Sequence, residues 1–306
     1  MEKIQITIVL LLSAILPLHA QRIETVPNGD FEQWTTRSIK ESGIVGGNTR
    51  TLYTVGPLKT TIWASSNAWA RVMGVVQASV TMEPENGPTG KCARLSTRFA
   101  TCSVAGLIDI KVLATGALYW GKMLEPVTGV SKPYSYIDWG IPFTKRPSAL
   151  LLDYKAYLPN TGILTKGTTF KQEEFPGEDP CQILLILQYR WEDSKGNIHA
   201  KRVATGVRRI FRSTDWQKDF RVQMIYGNPR ESGALAAGMN LLTGDRSLYA
   251  VNSRGKVKPI IEEGWADKNT PCTHAVLQIT AGSQGAFVGA LGNTLWVDNI
   301  RLEYPE

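Results

Sequence analysis

Apolar and polar residues alternate along many short segments of the chain, which is the pattern of β-strands that bury one face. In residues 220–226, the even positions hold phenylalanine, valine, methionine and tyrosine, whereas Arg221 and Gln223 fall on the opposite face. The runs 275–280 and 294–304 are also short and rich in β-branched and aromatic residues. The pattern predicts a chain built of β-strands.

One segment departs from this alternation. From Cys181 to Trp191 the odd positions are mostly apolar, but Leu184 and Ile186 make the even face apolar as well. A strand with two apolar faces is typical of a sheet that is covered on both sides. We therefore expect this strand to be central.

Turn-forming residues separate the strands at 84–88, 158–162, 194–197 and 227–229. Many short strands punctuated by glycine and proline predict an all-β protein, a jelly-roll β-sandwich with few or no helices. Only the segment from Glu231 to Leu242 has a helical pattern, and Gly233 and Gly238 weaken it. No repeat or low-complexity linker is present, so we expect residues 21–306 to form a single domain. The alternative is two subdomains, 21–140 and 141–306.

The first twenty residues have the pattern of a secretory signal peptide, with Lys3, an apolar run from Ile4 to Leu18, and the small Ala20 at the expected cut. A retained membrane anchor is the alternative, but the run is shorter than the ~20 residues of a spanning helix. We therefore expect an exported protein with no transmembrane segment, in the periplasm, on the outer surface or secreted. No cysteine lies near the cut, so the sequence does not predict a lipoprotein.

The composition is that of an ordinary globular protein, with 43% apolar and 20% charged residues and a formal net charge of +7. Export makes nucleic acid an improbable partner for this basic chain, whereas acidic polysaccharide remains possible. The densest basic stretch, from Arg202 to Arg212, alternates with apolar residues, so we interpret it as a strand with a solvated basic face. Three histidines, one of them in the signal peptide, leave little material for histidine-dependent catalysis.

The cysteines Cys92, Cys102, Cys181 and Cys272 allow three disulfide pairings in an oxidising compartment. Four buried thiols on strands are an equally good interpretation, because a chain of this length needs no covalent staples. Both interpretations stay open, as does the oligomeric state.

Several motifs resemble known glycan-handling proteins. Residues 26–34, VPNGDFEQW, and 88–95, PTGKCARL, are similar to early strands of carbohydrate-binding jelly rolls. More specific motifs, from residue 85 to the C-terminus, are ATGALYWGK (114–122), GIPFTKRP (140–147), LLDYK (151–155) and GALGNTLWVDNI (289–300). In this order and spacing they resemble the putative carbohydrate metabolism domain, a family of exported proteins of Bacteroides-type bacteria. One departure is AGSQG at 281–285, where a Ser-Ser pair is common.

The resemblance implies a jelly-roll β-sandwich that handles glycans, but it does not identify a catalytic residue in this sequence. A glycosidase needs two carboxyl groups on either side of the scissile bond. The candidates Asp138, Asp153 and Glu192 are not paired in the sequence, and Asp153 is expected to form a structural ion pair with Lys155.

Sugar binding needs an exposed aromatic face and a few polar groups around it. Three aromatic residues crowd the proline-bounded segment 133–142, which has the character of a loop. The predicted carbohydrate-binding residues are therefore Trp139, Tyr134 and Tyr136, followed by Trp63, Trp69 and Trp191. Four other tryptophans are expected in the core: Trp34, Trp120, Trp216 and Trp296.

Jelly rolls of the kind that the chain resembles often hold a structural calcium ion between their first and last strands. Glu32 and Asp298 are the predicted ligands, with Asp30 as a weaker candidate; alternatively, Asp298 caps a turn or accepts backbone hydrogen bonds. No cofactor is required. The sequence thus predicts an exported, non-catalytic glycan-binding protein associated with polysaccharide uptake or the cell surface. The alternatives are a structural or adhesive surface subunit without a sugar ligand, and a glycoside hydrolase using a carboxylate pair.

Overall fold

A computed structural model of the chain describes residues 22–104, 108–168 and 171–305. Within these ranges, side chains are described for all residues except 101–110. The predicted signal peptide and the Cys102 side chain lie outside the described residues. In the first half of the chain the strands are β1 (Arg22–Thr25), β2 (Trp34–Lys40), β3 (Thr49–Val55), β4 (Trp63–Ser65), β5 (Ala68–Val72), β6 (Val75–Ser79), β7 (Met82–Gly87), β8 (Gly90–Ser96), β9 (Arg98–Val104), β10 (Ile108–Ala114), β11 (Ala117–Met123), β12 (Ile137–Trp139) and β13 (Ile141–Pro142). In the second half they are β14 (Ala149–Tyr157), β15 (Ile163–Thr168), β16 (Lys171–Pro176), β17 (Cys181–Glu192), β18 (Ile198–Ile210), β19 (Thr214–Gln223), β20 (Ile225–Tyr226), β21 (Tyr249–Val251), β22 (Val257–Trp265), β23 (His274–Thr280), β24 (Val288–Gly289) and β25 (Thr294–Tyr304).

Helical structure in the described residues is limited to short 3-10 turns at Gly43–Val45, Pro133–Tyr136 and Gly244–Arg246. The helix predicted between residues 231 and 242 is wrong. Gly233 and Gly238 adopt φ angles of 67° and 94°, in the left-handed region that interrupts a right-handed helix. The glycines that weakened the helical pattern therefore break it.

Two large sheets dominate the fold. The six-stranded sheet has the order β19-β14-β25-β8-β7, with β1 added to β25. The ten-stranded sheet has the order β12-β11-β23-β17-β18-β22-β21, with β4, β13 and β20 attached at its sides. Both sheets combine strands from before and after residue 140, so the alternative subdomain boundary does not separate one sheet from the other. The predicted all-β sandwich is confirmed.

The main core lies between the two large sheets. Leu150 and Leu152 from β14 and Leu295 from β25 share it with Ile183 and Leu185 from β17. All five side chains are essentially inaccessible to solvent. The alternation along each strand therefore points one complete face of each sheet into this core.

A second core covers the opposite face of the ten-stranded sheet. Leu184 and Ile186 of β17 belong to it, together with Tyr119, Trp139 and Met239 from other elements. The central strand β17 is thus buried on both faces, as its sequence predicted. In the described residues, no second core cluster covers the outer face of the six-stranded sheet.

A buried ion pair joins two strands of the ten-stranded sheet on this second-core side. The Arg202 guanidinium on β18 is fully buried and donates through Nε to Glu262 Oε1 at 2.7 Å, and through Nη2 to Oε2. The Glu262 carboxylate also accepts hydrogen bonds from Gln188 Nε2 at 2.6 Å and from the Leu242 backbone N–H at 2.7 Å. The predicted solvated position of Arg202 is wrong, because Arg202 lies on the same face as the buried Ala200, two residues earlier.

No helix in the described residues is long and apolar enough to span a membrane. Cys92, Cys181 and Cys272 are buried free thiols. Burial raises the pKa of the Cys92 thiol to about 12, so this group stays protonated at neutral pH.

Replacement of Arg202 should destabilise the sandwich strongly. Arg202→Met leaves the Glu262 carboxylate buried without its cation, and we expect a loss of about 3–5 kcal/mol in the free energy of unfolding, measured by urea denaturation. The double variant Arg202→Met/Glu262→Gln removes the uncompensated charge and should recover much of that loss. A double variant no more stable than Arg202→Met would contradict the role assigned to the charge.

Candidate functional site

Trp139, the foremost predicted sugar-binding residue, is only 2% exposed and lies in the second core. Its ring packs at 4.8 Å, centroid to centroid, from that of Tyr119, and its Nε1 donates to the Tyr134 carbonyl oxygen at 3.3 Å. The predicted exposure of Trp139 is wrong, because Ile137–Trp139 is not a loop but a strand paired with β11.

Trp63 is also 2% exposed, so its predicted exposure is wrong too. It lies on β4, which pairs with β11, and its ring packs against those of Phe31 and Trp120 at 5.7 and 6.0 Å. Its Nε1 donates to the Pro27 carbonyl oxygen at 2.7 Å. Trp63 is therefore part of the main core.

The other predicted aromatic residues, Tyr134, Tyr136, Trp69 and Trp191, are partly accessible. The Tyr136 hydroxyl is hydrogen-bonded to Thr128 at 2.9 Å, and the ring of Tyr134 packs edge-on against Trp139. Trp69 lies under the guanidinium of Arg71 at 5.5 Å from its ring centroid. Their contact with sugar stays a prediction.

Trp191 belongs to a separate aromatic cluster at the end of the β17–β18 hairpin. Its ring is stacked on His199, with centroids 5.4 Å apart and an angle of 15° between the planes, and Tyr189 lies 5.9 Å away. His199 is hydrogen-bonded through Nδ1 to Glu263 at 2.7 Å and through Nε2 to Asp193 at 3.4 Å. The hydrogen bond to Glu263, aided by Asp193, raises the pKa of His199. One face of the Trp191 ring is therefore occupied by a protein side chain.

The uncovered face of the six-stranded sheet carries a different group of residues. Leu295 and Val297 point into the main core, so Trp296 between them points outward, and its predicted core position is wrong. Directly opposite it on the neighbouring strands are Lys155 and Arg94. Their cationic groups lie over the indole at 4.9 and 6.0 Å from its centroid. Of the other tryptophans predicted in the core, Trp120 is fully buried, whereas Trp34 and Trp216 are half-buried.

Beside Trp296 the sheet surface forms a depression of about 480 Å³. We call it the outer-face depression and define it by Tyr157, Trp296, Glu83, Arg94 and Arg98, which all line it. Tyr157, at the end of β14, is 54% exposed and offers the most accessible aromatic ring.

Charged side chains form one connected group along the depression. Glu83 accepts hydrogen bonds from Arg94 Nη1 at 2.8 Å and from Arg98 Nη2 at 3.3 Å. Glu85 lies 3.4 Å from Arg94 Nε. These groups are about one-third exposed or more, so they can exchange hydrogen bonds with a bound molecule.

Two polar atoms of the residues that line the depression make no hydrogen bond in the described part of the chain. They are the Thr97 hydroxyl oxygen and Arg94 Nε. Both atoms have almost no accessible surface, so they are not available to a molecule in the depression.

The three carboxylates considered for the hydrolase alternative make local structural contacts. Asp138 accepts the backbone N–H of Val251 at 2.9 Å, and Glu192 accepts that of Ser253 at 2.8 Å. Asp153 forms its ion pair with Arg301, at 3.5 Å, so the predicted pairing with Lys155 is wrong.

The predicted calcium ligands lie near each other, at the turn between β7 and β8. Glu32 accepts the backbone N–H of Lys91 at 2.8 Å. Burial, together with the nearby carboxylates of Asp153, Glu32 and Asp30, raises the pKa of Asp298 to about 6. Among the described side chains, however, no group of three or more acidic, histidine or cysteine residues is placed to hold a metal ion. Calcium takes six to eight oxygen ligands, which also include backbone carbonyl groups and water, so a calcium site at Glu32 and Asp298 stays a prediction.

Sequence reasoning missed Tyr157 and Trp296, although a signal for Trp296 was available. The order Leu295, Trp296, Val297 alternates in the way that places the middle residue on the opposite face from its neighbours. Tyr157 precedes a Leu-Pro-Asn turn, and a strand end next to a turn is a position where an aromatic side chain remains accessible.

A calcium titration tests the ligand prediction directly. If Glu32 and Asp298 hold calcium, we expect the Tm of the protein, measured by differential scanning fluorimetry, to be higher with calcium chloride than with a chelator, because an ion that binds only the folded state stabilises it. Asp298→Asn is the control variant. If calcium raises the Tm of the unaltered protein by several degrees but not that of Asp298→Asn, a calcium site at Asp298 exists.

Comparison with known proteins gives a family and two similar structures. A crystal structure of a "putative glycoside hydrolase" from Bacteroides thetaiotaomicron is 19% identical over 89% of this chain and 71% of that chain, with a TM-score of 0.48. Another, from Bacteroides vulgatus, is 14% identical over 93% of this chain and 98% of that chain, with the same TM-score. No curated protein matches the chain. The family profile of the putative carbohydrate metabolism domain matches residues 30–239, more than half of the chain, and the protein therefore belongs to this family.

Proposed function

We propose that the protein is an exported, non-catalytic glycan-binding protein and that it holds its ligand in the outer-face depression. The observation that carries this proposal is the combination of the exposed ring of Tyr157 and the partly exposed Trp296 with the Glu83–Arg94–Arg98 group in one concavity. Membership of a carbohydrate-metabolism family supports a sugar as the ligand.

The aromatic part of the depression suits the apolar side of a sugar ring. The C–H groups of a pyranose carry a slight positive charge and are attracted to the negative face of an aromatic ring. Tyr157 has more than half of its surface free, so its ring is available for such stacking. Lys155 and Arg94 flank Trp296 from the two neighbouring strands and limit its movement.

The polar part of the depression suits the hydroxyl groups of a sugar. A guanidinium presents a planar fork of donors, and a carboxylate accepts two hydrogen bonds, so Arg98 and Glu83 together can bind neighbouring hydroxyl groups. These groups give orientation and specificity, as polar groups in ligand sites generally do.

The arrangement favours binding over hydrolysis. A glycosidase needs one carboxyl group that is protonated at working pH, which an apolar environment promotes. Glu83 instead makes ion pairs with two guanidinium groups, and Glu85 lies beside one of them. Export, association with polysaccharide uptake and a position at the cell surface remain part of the proposal, on the basis of the signal-peptide pattern.

A glycan array followed by calorimetry tests the site. Residues 21–306 are applied to plant, host and microbial glycans, and affinity for the best ligand is then measured for Tyr157→Ala. Because this variant removes the stacking surface, we expect binding at least about tenfold weaker, equivalent to about 1.4 kcal/mol.

Tyr189→Ala is the matched control, because it removes an exposed tyrosine beside a tryptophan at the Trp191 cluster. It should leave affinity unchanged. If Tyr189→Ala weakens binding and Tyr157→Ala does not, the sugar binds at the Trp191 cluster. If no glycan binds, the structural or adhesive alternative is preferred.

The hydrolase alternative would use Glu83 and Glu85, the carboxylates beside Arg94 at the depression. We expect no release of reducing ends when the protein is incubated with its best glycan ligand. The non-catalytic proposal would be overturned if the protein releases reducing ends and if Glu83→Gln abolishes this release without changing the Tm.

A further inference from the structure

The charged side chains of the outer-face depression leave one cation weakly paired. Of the charged residues that line it, Arg94 and Arg98 are cations and Glu83 is an anion. Glu83 accepts a hydrogen bond from Arg94 Nη1 at 2.8 Å and a longer one from Arg98 Nη2 at 3.3 Å. Arg94 also has the Glu85 carboxylate 3.4 Å from its Nε. Arg98 therefore shares its carboxylate with a closer guanidinium.

Arg98 has N–H groups that a ligand can reach. Its Nε and Nη1 donate to no residue in the described part of the chain, and neither is among the buried polar atoms that lack a partner. The side chain of Arg98 is 38% exposed. A guanidinium presents a planar fork of donors that fits the paired oxygen atoms of an anionic group. Arg98 thus offers such a fork to an anion in the depression.

A second cation without a carboxylate partner stands next to the depression. Lys155 Nζ lies 4.9 Å from the centroid of the Trp296 ring and makes no hydrogen bond or ion pair with a described residue. The acidic residues of the neighbouring row, Asp153 and Asp298, lie two residues further along β14 and β25 and are buried. Asp153 is paired with Arg301 at 3.5 Å. The part of the sheet face that carries the depression therefore has an excess of positive charge.

We infer that the outer-face depression binds an acidic glycan, whose carboxylate or sulfate group pairs with Arg98 while a sugar ring stacks on Tyr157. Both residues line the same concavity. The formal net charge of +7 adds a long-range attraction for such a ligand. This inference rests on the glycan-binding proposal and adds the charge of the ligand to it.

Glycan pairs that differ only in charge test this inference. Oligogalacturonides and hyaluronan oligosaccharides are compared with their carboxyl-reduced forms, and sulfated galactan oligosaccharides with their desulfated forms. The best ligand from the glycan array is treated in the same way. Affinities for residues 21–306 are measured by calorimetry. We expect saturable binding of an acidic glycan, at least about threefold tighter than that of its neutral form. The pair that responds identifies the anionic group as a carboxylate or a sulfate.

The outcomes of this comparison separate the two proposals. Equal affinity within every pair that binds, or binding of neutral glycans alone, would overturn this inference. If Tyr157→Ala weakens that neutral binding, the glycan-binding proposal stands without it. If no glycan binds, both proposals fail.

Arg98→Gln removes the charge and keeps hydrogen-bond donors for hydroxyl groups. The preference for the acidic over the neutral form should fall about three- to tenfold, the effect of a partly exposed bidentate ion pair. The Tm of this variant should stay close to that of the unaltered protein, because Glu83 keeps its shorter hydrogen bond from Arg94. An unchanged preference would contradict the role assigned to Arg98.

Arg254→Gln is the matched control, because it removes the same charge from another exposed arginine. Arg254 lies in the turn between β21 and β22, donates through Nη2 to the Ser194 carbonyl oxygen at 2.7 Å, and does not line the depression. We expect the preference for the acidic form to be unchanged in this variant. Equal losses in the two variants would show that the whole basic surface attracts the glycan, which contradicts a site at Arg98.

Discussion

The burial of β17 on both faces is the constraint on which the rest of the structure depends. Ile183 and Leu185 enter the main core, while Leu184 and Ile186 enter the second core. A strand of this kind cannot lie at the surface without exposing one row of large aliphatic side chains to water. The ten-stranded sheet must therefore be covered twice, by the six-stranded sheet on one side and by the segments that contain Trp139 and Met239 on the other.

This double cover decides where a ligand can bind. The second core covers the second face of the ten-stranded sheet, so the aromatic residues on that face, Trp139 and Tyr119, pack in the interior and are not available to a ligand. The six-stranded sheet has no such second layer, and its outward row of Lys155, Trp296 and Arg94 stays partly accessible. The proposed glycan site thus occupies the broad sheet face that the core does not need, on a scaffold whose inner face is rigidly packed.

The sequence specified the strands and the central position of β17 because alternation is a local property. It did not specify the burial of Trp139, because its segment has the prolines and aromatic residues of a loop and becomes a strand only by pairing with the distant β11. Arg202 shows the same limit. Its charge suggested solvent, but Glu262, sixty residues later, meets it inside the sheet. Trp296 is the opposite case, since its outward direction was readable from Leu295 and Val297 on either side.

Exposure separates the structural polar network of this chain from its candidate binding surface. Folding tolerates few buried groups without hydrogen bonds, and the central network of Arg202, Glu262 and Gln188 shows how thoroughly this chain pairs them where only stability is concerned. At the outer-face depression Glu83, Arg94 and Arg98 are also paired, but they are about one-third exposed, so they can exchange their partners for the groups of a ligand. The difference in exposure, rather than in pairing, is therefore the physical reason to regard the depression as a binding site and the central network as structural.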